Sequence, residues 1–79
     1  MFIISLDQQI KLFNNNQLIA PARAALQFRL RKESKLNYER AITLASINNQ
    51  SGSAHYFTKS LNQSYLADCV SASLRAVTH

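Results

Sequence analysis

The chain has one cysteine, one glycine, one proline and no tryptophan among its 79 residues, and each shortage removes a class of protein. A lone Cys69 leaves no intramolecular disulfide and no cysteine-rich zinc site, which points away from stapled secreted scaffolds and towards a reducing, cytoplasmic setting. With only Gly52 and Pro21 of their kinds, tight β-hairpins lack the residues their turns demand, and the expectation tilts to helices. No stretch approaches the ~18 apolar residues of a transmembrane helix. The apolar start, Met1 to Leu6, is too short for a signal-peptide core, has no basic residue ahead of it and is cut off by Asp7.

What is present is a hydrophobic fraction of 47%, ordinary for a globular protein, so the chain is expected to fold as a single domain over residues 1–79. A domain of this size buries only around two-thirds of its unfolded surface, and a partner or a second copy can supply what its core lacks. The fold class expected is an all-α bundle of four or five helices around a long central C-terminal helix. The alternative is a small α+β fold opening in a β-hairpin, with strands Phe2 to Leu6 and Gln9 to Phe13.

The N-terminal helix rests on a capping box, Ser5 with Gln8, followed by Leu6, Ile10 and Phe13 on one face. Asn14, Asn15 and Asn16 should end it, because Asn tolerates the left-handed conformation. Pro21 opens the next helix, about Pro21 to Glu33, with Ile19 leading into a core stripe of Ala22, Leu26 and Leu30. A third is expected over Lys35 to Ile47, capped by Asn37, with Tyr38, Ala41, Ile42 and Ala45 facing inward. Asn48 to Ser53 form the strongest loop signal, with Gly52 free to take a positive φ. A short turn through Ala54 to Phe57 then leads to a second capping box, Ser60 with Gln63. From Ser60 to Val77, the apolar residues Leu61, Tyr65, Leu66, Cys69, Val70, Ala72, Leu74, Ala76 and Val77 cover an arc roughly twice as wide as the ~100° stripe of a surface helix. Such an arc calls for several packing neighbours.

Charge carries the functional signal. Nine Lys and Arg against four Asp and Glu give a net charge of +5, and six of the nine, Arg23, Arg29, Arg31, Lys32, Lys35 and Arg40, fall between positions 23 and 40. A regional field of one sign attracts nucleic acid, an anionic membrane or an acidic protein surface. By helical rotation Phe28 lies opposite the Leu26 and Leu30 stripe, among Ala24, Arg31, Lys32 and Lys35. An aromatic ring amid cations can stack on an unpaired base or anchor a protein interface. The candidate binding surface is therefore Phe28, Arg29, Arg31, Lys32, Lys35 and Arg40.

Chemistry is poorly represented. Cys69, at the centre of the apolar arc, reads as a small hydrophobe. His55 and His79 form no metal-ligand spacing with one another, and Asp7, Glu33, Glu39 and Asp68 pair in no pattern that serves general acid and base. One glycine builds no phosphate loop. No catalytic residue, metal or cofactor is expected, and the chain reads as a non-enzyme.

Gly52, Ser53, Ala54, His55, Tyr56, Phe57 and Lys59 resemble the segment in TetR-type repressors where a Gly and small residues precede an aromatic cluster and a Lys. The spacing here is one residue short between Gly and the aromatics, and no functional residue is carried over. The function expected is that of a small basic binding protein, a regulator, adaptor or inhibitor working through protein contacts, with itself as one candidate partner in a homodimer. The alternative is a helix-turn-helix-like nucleic-acid-binding domain using residues 23–40.

Overall fold

The computed structural model describes residues 5–77. They form three helices, α1 (Leu6–Asn14), α2 (Ala20–Ser46) and α3 (Gln50–Val77), with no strand among the described residues. The all-α class holds, and the count of four or five helices is corrected to three. Residues 9–13 are helical, which removes the hairpin alternative; most of its first strand lies outside the described residues.

α1 begins as its capping box demands. The Gln8 backbone N–H donates to Ser5 Oγ and the Ser5 N–H to Gln8 Oε1, both at 3.2 Å. Its end, and that of α2, is built by asparagine where most proteins use glycine. Asn16 and Asn48 take positive φ, 57° and 64°. In each case the next N–H reaches back to close the helix: Gln17 donates to the Leu12 carbonyl and Asn49 to that of Leu44, both at 2.9 Å. These are the bonds of a Schellman ending, and they let a chain with one glycine turn twice. Gly52, by contrast, has no positive φ. It sits in the first turn of α3, where its N–H donates to Asn49 Oδ1 at 3.0 Å, so Asn49 is the N-cap and the expected loop shrinks to residues 47–49.

α2 runs unbroken through Glu33, Ser34 and Lys35, where two helices were expected. No Gly or Pro interrupts that stretch, and Asn37, instead of capping a new helix, is buried within it at 1% exposure. α3 likewise starts at Gln50 and absorbs the expected short turn and the Ser60 cap in one helix. The segment that resembles a TetR-type motif lies wholly inside α3 and contains no turn between helices.

α2 and α3 pair as an antiparallel hairpin, with cross-helix bonds between Ser53 and Ala41, Gln63 and Asn37, Ser60 and Ser34, and Ser73 and Arg23. The α3 seam is Ser53, Tyr56, Ser60, Gln63, Ala67, Val70 and Leu74. That 3-4 alternation is the heptad spacing of a coiled coil. Near the turn the seam is polar. The Ser60 hydroxyl donates to the Ser34 carbonyl at 2.8 Å, the Ser34 hydroxyl to the Ser60 carbonyl at 2.9 Å, and the Ser53 hydroxyl to the Ala41 carbonyl at 2.7 Å. Such short side chains reach a facing backbone only where the helices lie close together. Asn37 Nδ2 donates to Gln63 Oε1 at 2.7 Å, fully buried.

At the far end the seam turns apolar. Leu26, Leu30, Ala67 and Val70 form the core, and Leu6, Ile10 and Phe13 of α1 pack against it with Leu18, Leu66 and Leu74. α1 therefore roofs one side of the hairpin at the end remote from the turn. The wide arc of α3 is split by this arrangement: Val70 is buried, Leu66, Cys69 and Leu74 are half-buried, and Leu61, Tyr65, Ala72 and Ala76 face solvent. Ile19, expected to lead into the core, is also exposed. The side chain of Val77 lies outside the described residues, as does His79.

Removing one member of the buried amide pair leaves the other without its partner in a dry site. Asn37→Ala is expected to lower the unfolding free energy by about 1–3 kcal/mol, and the paired change Asn37→Leu with Gln63→Leu to restore most of it. Urea denaturation of the three variants checks both outcomes.

Candidate interaction surfaces

The six residues of the expected binding surface do not share one face. Phe28, Lys32 and Lys35 recur at three and four residues along the outer side of α2, opposite Leu26 and Leu30, and form an exposed ridge. Phe28 is 72% exposed, so its ring is not taken up in the core. Arg31 flanks this ridge on one side and reaches across to α3, where its Nη2 lies 3.2 Å from Asp68 Oδ1. That contact explains Asp68, which the α3 sequence leaves without a helical partner.

Arg29 and Arg40 depart from the ridge. Each is rotated about 100–120° from Phe28, towards the side that α1 occupies. Arg29 Nη1 donates to Gln9 Oε1 of α1 at 2.8 Å. Arg40 donates to Asn37 Oδ1 at 3.4 Å and lies 5.8 Å from the centre of the Tyr56 ring, a cation over an aromatic face. These two arginines hold elements together, and the candidate surface contracts to Phe28, Arg31, Lys32 and Lys35.

A second surface was missed from sequence. Tyr38, Ile42, Phe57, Leu61 and Tyr65, read as core or as a turn, are between 44% and 70% exposed. Tyr38 and Ile42 stand one turn apart on α2, as do Phe57, Leu61 and Tyr65 on α3. The Tyr38 and Phe57 rings join the two rows, with centroids 6.1 Å apart. The strip crosses both helices on the side of the hairpin away from α1. Its signal in the sequence was present but ambiguous, because an apolar residue one turn from another marks a buried face and an uncovered one alike.

The clefts are shallow. One lies where the start of α1 meets the hairpin, and its walls include Asp7, Arg29, Glu33, Arg40 and Lys59. Among the described residues no group of three His, Cys, Asp or Glu could hold a metal ion, and no buried side-chain nitrogen or oxygen lacks a partner. Cys69 is half-buried, not central to the core. His55 packs edge-on to Tyr56, their ring centres 5.1 Å apart. No described helix is long and apolar enough to cross a membrane.

Because Arg31 and Asp68 are both exposed, their bond should be weak and screened by salt. A double-mutant cycle of Arg31→Ala and Asp68→Ala is expected to give a coupling below about 1 kcal/mol that shrinks as salt is raised. Thermal unfolding at two ionic strengths measures it. No protein-family model, curated protein or solved structure matches the chain.

Proposed function

We propose that this chain is a small non-catalytic binding module, a regulator, adaptor or inhibitor that recognises an acidic protein surface through the outer ridge of α2. The single observation that carries this reading is Phe28, 72% exposed and flanked within one turn by Arg31 and Lys32. Exposing a whole aromatic ring gains nothing for the fold, whereas an aromatic anchor ringed by cations is the composition of a binding hot spot. The net charge of +5 adds long-range steering towards a partner of opposite sign. A location in the cytoplasm accords with the single Cys69.

Nucleic acid is the second reading, favoured by the same juxtaposition of ring and cations. The helix-turn-helix form of it has less support, since α2 and α3, the two helices joined by a three-residue turn, are both long and pair lengthwise as an antiparallel hairpin. Stacking of an unpaired base on Phe28, with Lys32 and Lys35 on phosphates, is the form the ridge favours.

One comparison tests both readings. Proteins captured from a native extract by the wild-type chain are expected to be lost when the bait is the Phe28→Ala, Lys32→Glu variant, whose thermal stability should match the wild type within about 0.5 kcal/mol because both sites are exposed. Equal capture by the two baits would remove the ridge from any protein interface. Binding to single-stranded DNA or RNA that weakens steeply with salt and is lost with the same variant would instead support the nucleic-acid reading.

A further inference from the structure

The chain exposes far more surface than its mass calls for. Its accessible area is 5855 Å², whereas a compact monomer of 8.9 kDa presents about 4,800 Å². Its radius of gyration is 14.4 Å, against about 12 Å for a globular domain of this length. The excess, about 1,000 Å², is comparable to the ~800 Å² that each partner contributes to a standard protein interface. Part of it is the strip of Tyr38, Ile42, Phe57, Leu61 and Tyr65, on the side of the hairpin that α1 leaves open.

We propose that this strip is covered by a second copy of the same chain, two hairpins meeting face to face about a two-fold axis near the Tyr38 and Phe57 rings. An isologous interface lays a patch on itself, so like charges within it would meet one another. The strip avoids this. All five of its residues are uncharged, and the Arg31 and Asp68 pair at its edge carries both signs. Only Lys35 borders it as a cation with no acid bonded to it here. Other cations of this basic chain point elsewhere: Lys32 along the ridge, Arg29, Arg40 and Lys59 on the α1 side. An acidic partner would find its charge complement on the ridge, not on this strip. Self-association also supplies what the turn-proximal half lacks, since Ala41 is the one apolar side chain buried there among the described residues. Two such faces together make a four-helix core, the usual remedy for a domain too small to bury enough within one copy. Phe28 and Lys32 of the ridge stay outside it and Lys35 only borders it, so the proposal stands apart from the function proposed above.

Sedimentation equilibrium of the full chain, from about 1 µM to a few hundred µM, is expected to show the mass rising from 8.9 kDa towards twice that value. Leu61→Glu and, separately, Ile42→Lys should each weaken association roughly tenfold or more, while Phe28→Ala leaves it unchanged. Circular dichroism at the lowest concentration verifies that each variant is folded. In a mixed sample of labelled and unlabelled chains, half-filtered nuclear Overhauser effects should connect Tyr38 or Phe57 of one copy with apolar strip protons of the other. A mass of one chain at every concentration would overturn the proposal, even if a foreign protein were found to bind the strip. So would a two-chain mass that neither strip variant lowers. Neither outcome touches the ridge, whose own variants are read by capture.

Discussion

Three serine hydroxyls that reach the backbone of the facing helix set the geometry of this protein. Ser34 and Ser60 exchange bonds with each other's carbonyl oxygens, and Ser53 bonds to that of Ala41. A longer side chain at any of these positions would wedge the helices apart and break the neighbouring contacts. Asn37 and Gln63 extend the same layer and add selectivity, because a shift of one turn would bury an amide opposite an apolar group. The apolar core that follows, Leu26 and Leu30 against Ala67 and Val70, supplies most of the hydrophobic stabilisation. The polar layer determines which residues meet.

That division explains the asymmetry of the molecule. α1 is nine residues long, enough for three apolar contacts at 3.6 spacing and no more. It settles where the hairpin is apolar, and the polar half beyond it is left with helix pairs and no roof. The cations sort accordingly. Arg29 and Arg40 tie the α1 side together, Arg31 bridges the open side to Asp68, and Lys32 and Lys35 remain with Phe28 on the outer ridge. A cluster that is continuous in sequence is thereby divided among three directions, each with a different neighbour.

Local signals were the legible part. The capping box at Ser5, the asparagine ending of α1, the core positions Leu26 and Leu30 and the outward Phe28 all follow from residue chemistry within a few positions. The errors arose where tertiary pairing outweighed local preference. Asn37 looks like a cap, because an Asn inside a helix competes for backbone bonds, yet with Gln63 opposite it becomes a seam residue. The α3 seam carries Ser53, Ser60 and Gln63, which hydropathy counts as solvent-facing, so the heptad was invisible and Leu61 and Tyr65 were assigned inward in their place. Gly52, the chain's one glycine, reads as a turn residue, whereas the asparagines at 16 and 48 supply the left-handed residues. Of the candidate site, the ridge could be read from rotation along one helix. The strip could not, since it is assembled from two helices.

The turn at residues 47–49 has a consequence for how the chain reaches its native state. The bonds between α2 and α3 enclose progressively more chain around that turn: Ala41 with Ser53 spans 12 positions, Asn37 with Gln63 and Ser34 with Ser60 each span 26, Arg31 with Asp68 spans 37, and Arg23 with Ser73 spans 50. Once an inner pair has formed, the next encloses only a few additional flexible residues, and the entropy of closure is taken in small steps. The polar layer lies on the inside of this series and the apolar core on the outside. Assembly can thus proceed like a zip from the asparagine turn outward, with register settled by directional bonds before the non-directional hydrophobic contacts close.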